Sequence, residues 1–219
     1  MASDTEVKAR RGTYRRLKKL QISLIIIGLL LMLLSFEGFL PKSPTSILCD
    51  DPKIHKIYQS DTIPMSVLLL TCTVGPFLNI LLVEYVAHHK GGRKLSEAAS
   101  ITWKIMKDVW YFELLVIMVI EFFKMTISEA RPHFMQTCSP ELSPELCDAG
   151  YVLVSWSNCS NPLGVSHGKL MDTMKSFPSG HAGLGAFSAT FMMWYLATRL
   201  QGKWSRYLPV WGGLLWGFW

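Results

Sequence analysis

Apolar residues in this chain do not recur with the short period of a water-exposed helix or strand. They come in long blocks separated by charged stretches. The first block, Ile22 to Leu40, is broken only by small or weakly polar residues and a late Glu37. A second runs from Pro64 to Ala87, a third from Val109 to Phe123, and a fourth from Ala182 to Leu200. A helix needs about 20 residues to cross a hydrocarbon core of roughly 30 Å. The pattern therefore predicts an all-α, polytopic membrane helical bundle, with spans near 22–40, 64–87, 109–127 and 182–200. The third span draws on flanking residues, and its Trp110 and Tyr111 suit an interfacial belt. A fifth block, Tyr207 to Trp219, reaches only about 20 Å and predicts a partial span, as a truncated chain or a short isoform would have. The first block is longer than the apolar core of a signal peptide and has no Ala-x-Ala-like site after it, so it reads as an anchor. Residues 1–21 form a basic N-terminus, and 22–219 the membrane domain.

Composition agrees. Of 219 residues, 50% are apolar and 17% charged, against about 25% charged in an average soluble domain. The net charge of +6 changes the picture through its placement. Lys8, Arg10, Arg11, Arg15, Arg16, Lys18 and Lys19 precede the first span. Lys90, Arg93, Lys94, Lys104 and Lys107 lie between the second and third, and Arg199, Lys203 and Arg206 follow the fourth. These alternate segments share one face, and Lys and Arg mark the cytoplasmic side. The N-terminus is thus expected inside, and no nucleic-acid partner is needed to explain the basicity. The segments from about 41 to 63 and from 124 to 178 then face the lumen or exterior. Asn158-Cys159-Ser160, an N-glycosylation acceptor, lies there, as do Cys49, Cys138, Cys147 and Cys159, where disulfides are permitted. Their pairing is not readable from sequence. No Cys/His spacing resembles a metal site.

The long outer segment is bounded by two clusters, Lys124 to Pro132 and Ser176-Phe177-Pro178-Ser179-Gly180-His181. Pro178 is expected in the first turn of the fourth helix, where a missing N–H has no partner to lose. Ser179 and Gly180 would then leave backbone N–H groups free at a positive dipole end, an anion site that glycine lets a ligand approach closely. His181 adds a titratable donor suited to protonating a leaving alkoxide. Arg131 offers a planar fork matching phosphate oxygens, and Lys124 a point charge. Phosphoryl transfer spreads charge over three equatorial oxygens, which several convergent donors stabilise.

Lys-x6-Arg-Pro followed by Pro-Ser-Gly-His resembles the first two signature motifs of the type 2 phosphatidic acid phosphatase superfamily, in its lipid phosphate phosphatase branch. The resemblance implies a six-helix fold with its site on the outer face. It implies that Lys124, Arg131 and Ser179 bind the substrate phosphate, that Gly180 contributes backbone, and that His181 is the catalytic acid. It further implies Mg²⁺-independent hydrolysis, with no cofactor, of phosphatidate, lysophosphatidate, ceramide 1-phosphate or sphingosine 1-phosphate, through a phosphohistidine. The expected location is the plasma membrane, or else the endoplasmic reticulum, with room for homo- or hetero-oligomers among family members. The family's third motif, Ser-Arg-x5-His-x3-Asp, supplies the nucleophile. Only Ser205-Arg206 begins to match it here, with Gly212 where the His should stand. The 219-residue chain is therefore expected to be inactive by itself, and the alternative is a lipid-phosphate-binding or regulatory membrane protein.

Overall fold

The computed structural model describes residues 4–36, 39, 40, 42–89, 94–148 and 150–200, with 207, 210 and 212 beyond them. Four long helices form the frame: α1 (Asp4–Phe36), α2 (Met65–His89), α3 (Leu95–Ile127) and α7 (Gly180–Arg199). Helix α1 begins within the basic N-terminal segment and ends before Leu40, and α3 begins at Leu95, well ahead of the apolar block that announced it. Among the described residues one stretch, Met65–Val86, is long and apolar enough to cross a membrane, and Lys19–Ser35 is a shorter apolar run. Charged side chains such as Glu97, Lys104, Lys107 and Asp108 thin the apolar content of α3. The expected partial span over 207–219 lies outside the described residues except at 207, 210 and 212. So do Glu37 and the basic link residues Lys90, Arg93, Lys203 and Arg206.

Helices α2, α3 and α7 pack around Ile80, Met106, Val109 and Met192, and around Leu68, Cys72 and Leu184. Gly183 permits the approach of α7 to α3, because a Cβ there would collide with Ile120. The outward faces stay apolar: Ile26, Leu30 and Leu33 on α1 and Leu70, Leu78 and Leu82 on α2 are all more than half exposed.

A small second layer covers one end of the bundle. Strands β1 (Thr45–Leu48) and β2 (Tyr151–Val154) pair antiparallel, Thr45 opposite Val154 and Leu48 opposite Tyr151. Side chains alternate across a strand, so Ile47, Val152 and Val154 face inward onto Phe134, Leu170 and Met174. Short helices α4 (Phe134–Cys138), α5 (Pro144–Asp148) and α6 (His167–Asp172) complete the layer. Two disulfides, Cys49–Cys147 and Cys138–Cys159, settle the pairing of the four outer cysteines, and Cys72 is free and buried in α2.

Candidate active site

The two sequence clusters meet because main chain joins them. Helix α3 stops when Ser128 adopts a left-handed conformation (φ 52°) and its N–H returns to the Lys124 carbonyl. The strand of chain that follows runs beside the approach to α7. The Arg131 N–H donates to the Thr173 carbonyl at 2.7 Å, and the Ser176 N–H to the Glu129 carbonyl at 3.0 Å. These bonds leave Lys124, Arg131, Ser179, Gly180 and His181 lining one polar cavity of about 240 Å³, together with Asp61 and Lys175.

The first turn of α7 differs from expectation in one respect. Ser179, not Pro178, is the boundary: its hydroxyl accepts the Ala182 N–H at 3.3 Å, which makes it the N-cap, and Gly180 is the first helical residue. Pro178 precedes the helix. The cap side chain satisfies one orphan donor of the first turn, while the hydroxyl hydrogen of Ser179 stays available for a ligand. A Cβ on Gly180 would lie 3.6 Å from Lys124 Nζ and 3.3 Å from Met65 Cε, so the missing side chain keeps this corner open. His181 Nε2 lies 2.8 Å from the Ile63 carbonyl. A carbonyl can only accept, so Nε2 carries the proton and Nδ1 is the ring nitrogen left for other chemistry.

The cations of the cavity are held by carboxylates. Lys124, only 6% exposed, donates to Glu121 Oε1 at 2.9 Å, using one of its three hydrogens. The second Glu121 oxygen accepts from Ser35 Oγ at 2.9 Å and faces Lys175 Nζ at 3.5 Å. Lys175 also donates to the Ser35 carbonyl at 2.7 Å, and burial pushes its pKa below the usual ammonium value, against the opposing pull of Glu121. The Arg131 fork contacts Asp172 at 2.9 Å and Asp61 at 4.0 Å, while its Nε is buried without a partner. Asp172, Lys175 and Asp61 belong to no sequence motif. Lys175 directly precedes the second cluster, which was the available signal. His133 stands apart beside Tyr58, ring centres 4.8 Å apart, with its pKa lowered by burial and then by the neighbouring Arg131. Asn158 is exposed in a 3₁₀ turn, its side-chain oxygen accepting the Ser155 N–H at 3.0 Å. Among the described residues no group of three or more His, Cys, Asp or Glu side chains is placed to hold a metal.

Comparison with known proteins gives the same direction. The PAP2 superfamily signature matches residues 108–219. Phospholipid phosphatase 1 of Mus musculus is 28% identical over 169 residues, covering 74% of this chain and 57% of its own length. Phospholipid phosphatase 2 of Homo sapiens is 26% identical over 170 residues, covering 73% and 55%. The chain thus spans little more than half the length of these curated relatives. No solved structure matches it. With the family signature covering half of the sequence and both basic clusters, the chain belongs to the PAP2 superfamily.

Proposed function

We propose that this protein is a lipid phosphate phosphatase that hydrolyses phosphomonoesters such as phosphatidate, lysophosphatidate, ceramide 1-phosphate and sphingosine 1-phosphate. The observation that carries the reading is the convergence of Lys124, Arg131, Ser179, Gly180 and His181 on one polar cavity. Two free hydrogens of Lys124, the Arg131 fork, the Ser179 hydroxyl and the Gly180 N–H would surround three phosphoryl oxygens. The dipole of α7 adds positive potential at the same point. As the phosphoryl group passes to the nucleophilic histidine that the family's third motif supplies, the P–O bond to the lipid breaks. A doubly protonated His181 would then give its Nδ1 proton to the leaving alkoxide, with Nε2–H anchored on Ile63, and water would release phosphate from the nucleophile. The amines and guanidinium supply the charge stabilisation for which other phosphatases use a metal, so the reaction needs no Mg²⁺ and no cofactor. The name phospholipid phosphatase, borne by the relatives, fits this chemistry.

The site faces the lumen or exterior of the plasma membrane or endoplasmic reticulum, and the N-terminus faces the cytoplasm. Supporting this are the Lys/Arg placement, the two disulfides and the exposed Asn158 acceptor on the site's own side. Helices α1, α2, α3 and α7 are the four spans, their exposed apolar side chains facing lipid. Hetero-association with other family members is compatible with this arrangement, and nucleic acid has no place in it.

The test uses membranes carrying the protein expressed from its complete reading frame, assayed on phosphatidate with a chelator present. Loss of a general acid removes about 10²–10⁴-fold in rate, so His181→Ala should be slower than the parent by at least about 10²-fold. Equal rates would remove His181 from the mechanism.

A further inference from the structure

Lys175 lines the phosphate cavity beside Lys124, yet its hydrogens are fully used within the protein. One goes to the Ser35 carbonyl at 2.7 Å, a second to Ser35 Oγ at 3.0 Å, and a third faces Glu121 Oε2 at 3.5 Å. An ammonium group has three donors and no acceptor, so none remains for a ligand. Ser35 lies in the last turn of α1, 86 residues from Glu121 in sequence. Its carbonyl is among the last four of the helix, which have no intrahelical partner. A cation there also meets the negative end of the helix dipole. Lys175 is thereby fixed on α1. The Ser35 hydroxyl accepts from Lys175 and donates to Glu121 Oε2 at 2.9 Å, while Glu121 Oε1 accepts from Lys124 Nζ at 2.9 Å. All four side chains are buried.

We infer that Ser35 and Lys175 are positioning residues for phosphate binding, clamping Glu121 from the end of α1 so that Lys124 turns its two remaining hydrogens to the cavity. The inference rests on the lipid phosphatase reading, which makes the cavity a phosphate site. Two effects act through the one carboxylate. Ser35 and Lys175 occupy Glu121 Oε2 and leave only Oε1 to Lys124; a Glu121 released from them could turn both oxygens on Lys124. Lys175 also supplies charge. Two ammonium groups about one carboxylate leave a net positive charge beside the cavity, and without Lys175 the pair that remains is neutral. Both effects reach the anion through Lys124.

The experiment measures the Kd of orthovanadate on the complete protein in lipid nanodiscs. The variants are Ser35→Ala, Lys175→Met and Lys124→Met, with the first two also combined with the third. Phosphatidate hydrolysis by the parent is recorded separately. Ser35→Ala removes one hydroxyl and places the strongest helix former in α1, so the helix is kept. A hydrogen bond to a charged group is worth about tenfold in an equilibrium constant. Ser35→Ala and Lys175→Met should each weaken orthovanadate binding by at least about that factor. In the Lys124→Met background neither should weaken it further, because members of one network do not add. There, a Glu121 deprived of Lys175 as well takes a proton rather than stay a lone buried charge, so the charge beside the cavity is unchanged. Equal Kd in the parent and Ser35→Ala overturns the inference. So does a Ser35→Ala loss of the same size with and without Lys124, which a general loosening of the fold would give. A Lys175→Met loss undiminished in Lys124→Met would make Lys175 a direct ligand and overturn its positioning role. The predicted coupling in a parent that hydrolyses no phosphatidate would instead overturn the phosphatase reading and leave the clamp standing.

Discussion

Lys124 and Lys175 are buried ammonium groups that share the Glu121 carboxylate. Buried charges persist only when paired and hydrogen-bonded, and Glu121 meets that need for both while consuming one Lys124 hydrogen. Lys124 thus keeps two hydrogens with which to bind an anion. Lys42 extends the network outward, donating to the Met171 carbonyl at 2.9 Å. Burial, and then the nearby Lys175, lower its pKa to about 7. That depression has a sign. Above the ordinary ammonium pKa of about 10.4 the amine is neutral whether folded or unfolded. As pH falls from there, the unfolded chain takes the proton first, so stability drops until the folded pKa near 7 is reached, and is then flat in this group. Thermal unfolding of the detergent-solubilised protein should therefore show Tm decreasing from about pH 10 to about pH 7, with a smaller decrease in Lys42→Met. Identical pH slopes in the two proteins would show that Lys42 is not the group responsible.

At the scale of elements, the outer layer fixes where the two clusters meet. Its β1–β2 pair and short helices bury a core distinct from that of the bundle, and the disulfides close loops of unequal length, with sequence separations of 98 and 21 residues. Closing a loop of about 100 residues removes roughly 4.7 kcal/mol of unfolded-chain entropy at 25 °C, and a short loop about 3 kcal/mol. Replacing Cys49 and Cys147 by Ser should therefore destabilise the outer layer more than replacing Cys138 and Cys159. Denaturant unfolding followed by tryptophan fluorescence would read the order, and the reverse order would show that native packing, not loop closure, sets the cost. The helices were legible as apolar blocks, because bilayer length and hydropathy leave a long-range signature. The strands were not, since four-residue segments such as Thr45–Leu48 pair with a partner far along the chain and carry no local turn signal. The Ser179 cap is visible as a residue type, but Pro178 offers a competing start signal one position earlier and shifts the expected helix boundary.

At the scale of the whole molecule, four long helices point one set of ends at a stapled outer layer, and the cavity lies at that junction. The five residues singled out from sequence line it because motif spacing reports chemistry directly. Of their counter-ions, Glu121 stands one helical turn before Lys124, a pairing that local spacing reports, whereas Asp172 and Asp61 come from α6 and the first outer loop, and such long-range pairing with Arg131 leaves no trace in linear order. The central claim is that one phosphoryl group sits among Lys124, Arg131, Ser179, Gly180 and His181. Its most direct test is a structure of the complete protein determined with orthovanadate. Vanadate is expected in the cavity, with oxygens within hydrogen-bond reach of Lys124 Nζ, the Arg131 guanidinium and the Gly180 N–H. Vanadate bound elsewhere, or a cavity whose Lys124 and Arg131 turn away from it, would contradict the account.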